Sequence, residues 1–344
     1  MQFLTAPEAV SPALNRTASL LFRPFRWGNY LKLCAVAVLT EGASGNFHMN
    51  NPGHNPPTAP APHMMTALPD GFIPMLIMGG ILALIIGTVV FYLIVRLRFA
   101  LFDCLIHQTR FLAPGWRHYR EQAWRFFLFS IVIGFAFLAV AVAALSPFIS
   151  GVLHLFRESQ AANHVDVGAM LGLILQLLPV ILGLALLGIA LDLVMRDFML
   201  PHFALENASA GEAWGAVWDR VVAEKGAFVL YAVLRILLPF LAMIGIFILL
   251  IIPIVIVFGS LGAFMAMVHA SAAGASPIGI FFEVVAGLAM VVAGVLLAIC
   301  FGGPLSIAIR NYALVFYGGR YQPLGDALYP PMAPPAAAPT PLRG

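Results

Sequence analysis

Ile236–Phe258 reads ILLPFLAMIGIFILLIIPIVIVF, a run without one charged side chain. At 1.5 Å of rise per helical residue, about 20 apolar residues cross the hydrocarbon core of a bilayer, so this run is long enough to span. Four further uncharged apolar runs pass the same test: Phe72–Val95, Phe126–Leu153, Val167–Leu191 and Val284–Ile309. The whole chain agrees with them. Of its 344 residues 61% are hydrophobic and 10% charged, against about 45–50% and 25% in soluble domains. This composition points to a polytopic membrane protein. It argues against a soluble enzyme and against a nucleic-acid-binding domain.

Working outward, Leu33–Leu39 is a sixth, weaker candidate, flanked by Lys32 and Glu41. It continues through Gly42, Ala43 and Ser44 as a poor span, turns back as a re-entrant segment, or forms an uncleaved signal-like segment. Charge placement favours the span. Arg16, Arg23, Arg26 and Lys32, then Arg96, Arg98, Arg110, Arg117, Arg120 and Arg125, then Arg196, Arg220 and Lys225, and finally Arg310, Arg320 and Arg343 fall on one side of a six-span arrangement. Only Arg157 lies opposite, and Arg235 sits within the fifth span region. Under the positive-inside rule both termini are then cytoplasmic, in the cell membrane. The expected fold class is all-α: a polytopic transmembrane helical bundle of about six spans plus two or three cytoplasmic interfacial helices. Residues 1–28 form a cytoplasmic amphipathic N-terminal segment. Residues 29–317 form the membrane domain, with spans near 30–46, 72–95, 126–153, 167–194, 230–258 and 284–309. Residues 318–344 form a cytoplasmic tail, Pro/Ala-rich and disordered.

The two larger cytoplasmic segments echo each other. Arg98-Phe99-Ala100-Leu101 opens the first, Arg196-Asp197-Phe198-Met199-Leu200 the second, and Arg310-Asn311-Tyr312-Ala313-Leu314 follows the last span. This reads as a degenerate internal repeat, although any span end attracts Arg and aromatic residues. Ser209-Ala210-Gly211-Glu212 is a capping box, in which Ser209 and Glu212 each satisfy the other's backbone N–H. The helix after it carries Trp214 and Trp218 on one face, and the first segment carries Trp116, Tyr119 and Trp124. These tryptophans are expected as interfacial anchors. Arg98, Arg117, Arg120 and Arg125 are expected to contact anionic headgroups. Near the start, Leu14, Ala18, Leu21 and Phe22 recur at a similar helical spacing.

The stretch Asp197-Phe198-Met199-Leu200-Pro201-His202-Phe203-Ala204-Leu205-Glu206-Asn207, followed by Ser209-Ala210-Gly211-Glu212-Ala213-Trp214, resembles a cytoplasmic motif in a group of uncharacterised prokaryotic polytopic membrane proteins. That group includes the membrane domain found beside glycerophosphodiester phosphodiesterases. The resemblance runs roughly from Phe72 to Leu324, and its specific part is Asp197–Trp218. The sequence contains no phosphodiesterase domain, so the resemblance implies a fold and a membrane location, not hydrolysis.

Motifs for chemistry are absent or weak. No His-Glu-x-x-His and no Walker-type phosphate loop occur. Gly42-Ala43-Ser44-Gly45 has the shape of an intramembrane serine protease motif, but no histidine lies inside a strong span to take the serine proton. His48, His54 and His63 share a loop with Met49, Met64 and Met65. Such ligands suit copper, yet their spacing is irregular and broken by prolines. Cys34, Cys104 and Cys300 form no CxxC pair and read as packing residues. The expectation is no catalytic residue, no metal and no cofactor. Intramembrane polar groups are few: Asp192 and Arg196, able to pair four residues apart, with Arg235 and Gln176. The expected function is a non-enzymatic multi-pass membrane protein that binds or organises lipid, or serves a membrane partner. The alternative is a small-solute or lipid transporter built on the repeat.

Overall fold

The computed structural model describes residues 4–41, 72–162, 167–270 and 276–330. The described elements are helical throughout: α1 Val10–Phe22, α2 Trp27–Glu41, α3 Phe72–His107, α4 Leu112–His118, α5 Arg120–Ala162, α6 Val167–Leu193, α7 Leu200–Leu205, α8 Ala210–Ala223, α9 Lys225–Ala270, α10 Pro277–Leu297, α11 Gly303–Gly318 and α12 Gln322–Leu328. Two short π-helical segments, Val194–Met199 and Ala298–Gly302, join α6 to α7 and α10 to α11.

Five helices are long and apolar enough to cross a membrane: Met75–His107, Arg120–Leu153, Met170–Leu205, Lys225–Ala270 and Gly279–Gly318. No more than 11% of the most apolar stretch of any of them is buried inside the protein. Water does not tolerate so large a continuous apolar surface on a monomeric chain, which suggests a membrane protein. These helices are also longer than a bilayer needs. The 36 residues of α3 rise about 54 Å against a ~30 Å core. The surplus enters a packed core gathered at the arginine-rich end. The α3 core residues begin at Val95, those of α5 end at Phe127, and those of α9 lie at Phe228 and Tyr231. The core also takes in Met195–Phe203, Ala213 and Val217 of α8, α11–α12 and the inner faces of α1 and α2.

Several expectations change here. Of the segment expected near 30–46 only residues 30–41 are described, and the five candidate spans found among the described residues do not include them. Its described part, α2, has 15 residues, about 22 Å of helix. It also runs in the same sense as the end of the last span. Tyr30 donates to the Cys300 carbonyl, the Cα of Cys34 lies against Gly303, and Glu41 reaches Arg310. The Glu41 end of α2 therefore lies at the arginine-rich end and not at the opposite one. The tail boundary at 318 cuts through the core, because Gln322–Leu328 is helical and buries Leu324, Gly325 and Leu328. In the two segments expected at the headgroup boundary, Tyr119, Ala123 and Phe127 of the first and Ala213 and Val217 of α8 are buried, whereas Trp116 and Trp214 are half-buried and Trp124 and Trp218 exposed. A packed protein surface competes for the same amphipathic face as a lipid interface does, and sequence periodicity does not distinguish the two.

A Cβ at Gly172 would meet nothing within 4 Å, while one at Gly151 would approach Leu173 and one at Gly188 would approach Phe137. Close approach between α5 and α6 thus rests on Gly151 and Gly188. The described chain ends are tied together, since Arg320 donates to the Leu4 carbonyl and Arg16 to that of Leu328.

Candidate functional site

The three echoing arginines converge. Arg98 of α3, Arg196 of the first π-helical segment and Arg310 of α11 are all buried at one level of the core, with Arg235 of α9 beside them. Position i and position i+4 of each echo (Arg98 and Phe102, Arg196 and Leu200, Arg310 and Leu314) line one small cavity of about 20 Å³, room for a single water. The repeat seen in sequence is thus also a spatial relation: equivalent helical turns from three span ends face one another.

Glu41 is the hub. Its carboxylate pairs with the Arg196 guanidinium, with Arg310 and, at 3.4 Å, with Arg235. Asp197 is a second hub. It accepts from Arg235 Nε at 3.0 Å, from Arg310 Nη1 at 3.2 Å and from the Tyr231 hydroxyl at 2.8 Å. Arg310 Nη1 also donates to the Arg196 carbonyl at 3.0 Å, and Arg196 Nη1 meets Asp192 at 2.7 Å. Arg98 donates to the Thr40 carbonyl at the end of α2. Three guanidinium groups, those of Arg196, Arg235 and Arg310, thus share the buried carboxylates of Glu41 and Asp197, and Arg196 also meets the half-exposed Asp192. Buried charges are tolerated only when paired and hydrogen-bonded. The π-helical segment helps to provide this, burying five consecutive residues, Met195–Met199. Such bulges are a known way to re-aim side chains inside a helix.

A second polar group lies nearby in the core. His202 of α7 has Nδ1 3.0 Å from Glu206 and Nε2 2.8 Å from the Tyr317 hydroxyl, with the Tyr321 ring at 4.1 Å. It links α7, in the segment after the third strong run, to α11.

The sequence candidates divide as follows. Asp192 and Arg196 form the four-apart pair. Arg235 meets Asp197 and Glu41, from other helices, and not Asp192. Gln176 is exposed on α6, away from the cluster. Arg98 is buried against α2 and is therefore removed from the set of surface cations expected to touch headgroups. Arg117, Arg120 and Arg125 are exposed, and Arg125 pairs with Glu121. Trp116 lies under the Arg96 guanidinium at 4.0 Å, Trp214 is half-buried, and Trp124 and Trp218 are exposed. Ser209 accepts from the Glu212 N–H, and the Glu212 carboxylate accepts from that of Ser209. Glu41, Asp197, Arg310 and Tyr231 were not among the polar site candidates, although Asp197 and Arg310 stand in the echoes and Glu41 flanks the weak first run. The echo at 98, 196 and 310 was the signal that could have found Arg310 and Asp197. Glu41, from outside the repeat, had no such mark.

Among the described residues no three His, Cys, Asp or Glu side chains are placed to hold a metal ion. The histidine–methionine loop and Gly42–Gly45 lie outside the described residues. Over residues 4–326 the chain matches the family of unknown function DUF7544. The match carries no connection to glycerophosphodiester phosphodiesterases. No curated protein and no solved structure matches the chain.

Proposed function

The chain belongs to the DUF7544 family of unknown function, and from that premise we propose that it is a non-enzymatic multi-pass membrane protein whose arginine-rich end holds anionic lipid or a membrane partner. The observation that supports this reading is the row of exposed cations, Arg117, Arg120 and Arg125, beside exposed Trp124 where α5 leaves the core. Guanidinium groups recognise phosphate, and an indole ring suits the headgroup level. Each surface arginine near an anionic leaflet contributes about 1 kcal/mol. Replacing all three by Gln is expected to reduce the phosphatidylglycerol retained by protein released from nanodiscs, read by native mass spectrometry. Unchanged retention counts against the reading.

A second reading, lipid transport, is favoured by one feature. The Asp192–Arg196 pair lies at the polar end of a groove between α3, α5 and α6, whose apolar part includes Phe91, Ile133 and Phe137. This reading expects fluorescent phosphatidylglycerol to change leaflets in proteoliposomes, and Asp192→Asn to stop it. Absence of exchange with the unaltered protein removes the reading.

A further inference from the structure

We propose that the knuckle joining α1 to α2 is a wedge inserted into the lipid leaflet, taking anionic phospholipid headgroups on its arginines. The proposal rests on the membrane reading of the five long helices, and not on the Arg117–Arg125 row.

α1 has two apolar faces, and the core uses only one. Ala13, Thr17 and Leu20 are buried, with Thr17 accepting from Asn311 of α11 at 2.9 Å. The other stripe is Leu14, Ala18 and Phe22, spaced four apart. It faces outward, with Leu14 53% and Phe22 50% exposed. The stripe continues around the turn through Phe25, 42% exposed, and Trp27, 64% exposed. Their rings touch one another: Phe22 and Phe25 have centroids 6.2 Å apart, Phe25 and Trp27 5.0 Å. Contiguous exposed aromatic surface of this kind marks an interaction site.

Charge selects the occupant. Arg23 and Arg26, which alternate with these rings along the turn, and Lys32 of α2 are all exposed, and residues 9–40 contain no Asp or Glu. Aromatic rings among cations with no acid nearby in sequence match the boundary of an anionic leaflet, where rings sit at headgroup depth and guanidinium groups bind phosphate. Placement agrees. Tyr30 contacts the rings of Phe22, Phe25 and Trp27 and donates to the carbonyl of Cys300, in the π-helical segment that ends α10. The aromatic patch is therefore continuous with the end of a lipid-covered helix. The knuckle is also held in shape, because Arg110 donates to the carbonyls of Leu20, at 2.7 Å, and Arg23, at 2.5 Å.

The test uses the full chain in nanodiscs of phosphatidylcholine and phosphatidylglycerol. The difference between the unaltered protein and Trp27→Phe isolates the emission of Trp27. That emission is expected to be quenched by dibrominated phosphatidylcholine and spared by acrylamide. Quenching by acrylamide alone, or by neither agent, overturns the wedge. In parallel, Arg23→Gln with Arg26→Gln should lower phosphatidylglycerol retention by roughly fivefold for each arginine removed, leaving phosphatidylcholine unchanged. An equal loss of both lipids, or no loss, overturns the headgroup assignment. The two lipid readings separate cleanly. Replacing Arg117, Arg120 and Arg125 should not alter Trp27 quenching, so the wedge stands if those substitutions have no effect and falls alone if only they do.

Discussion

At the scale of single residues, Glu41 has the largest consequence. Its carboxylate faces Arg196, Arg235 and Arg310. A buried ion pair adds little over a well-packed apolar substitute, but removal of one partner leaves the others uncompensated, at about 3–5 kcal/mol. Glu41→Gln should therefore lower the unfolding temperature in detergent by about 10 °C, while Gln176→Leu on the exposed face of α6 should leave it unchanged. Similar melting of Glu41→Gln and the unaltered protein would mean that the cluster is not integral to the core. Gly303 is the second such residue. A Cβ there would lie 2.2 Å from Cys34 Cβ and 2.6 Å from its Cα. Because the obstacle includes backbone, Gly303→Ala should destabilise α2 packing by about 1–3 kcal/mol. Cys34→Ala should not rescue it, and rescue would show that α2 and α11 cross less closely than these distances require.

At the scale of elements, the start of α8 has a clean local account. Its capping box joins Ser209 and Glu212, and Ser209→Ala should cost about 1 kcal/mol. Hydrogen bonding from Ser209 holds the Glu212 carboxyl below its usual range. A depressed carboxyl contributes stability above its unfolded value and loses it as pH falls through the folded one. The protection of the first turn of α8 against hydrogen exchange, taken relative to the intrinsic rate at each pH, should accordingly decrease below about pH 4, and Glu212→Gln should remove that dependence. The other notable elements are the two π-helical segments, each placed where a long helix passes into the core. Hydrophobic periodicity located both helices but gave no sign of the bulges. Each is met by a distant side chain: Arg310 donates to the Arg196 carbonyl and Asp197 carboxylate of the first, and Tyr30 to the Cys300 carbonyl of the second.

At the scale of the whole molecule, the protein is a set of long apolar helices fastened at one end. α1 and α12 close that end, and Arg320–Leu4 and Arg16–Leu328 hydrogen bonds hold the two described chain ends together. Glu8→Cys and Asp326→Cys, both at exposed positions, should therefore react with a membrane-impermeant maleimide from the same side. Cys34 and Cys104 are buried, and the unaltered protein supplies the background. Labelling from opposite sides would contradict this arrangement of the ends.

The amino-acid sequence by itself determined the helical class and the five apolar runs of membrane-crossing length, which suggest a membrane protein. Transfer of charge into hydrocarbon is costly, and an uncharged apolar run of 20 or more residues matches the length and character that a membrane-crossing helix needs. It also determined the α8 cap, the Asp192–Arg196 pair and the echo of arginines, all of which depend on residues a few positions apart or on repeated local pattern. Only the tertiary structure decided that α2 runs alongside the end of the last long helix, that Glu41 and Asp197 join the arginines, and that the amphipathic faces near Tyr119 and Val217 are turned inward. Burial against protein and burial against lipid select the same residue types on a helix. Which of the two covers a given face, and which distant acid neutralises a given arginine, is settled by the packing of helices far apart in the chain.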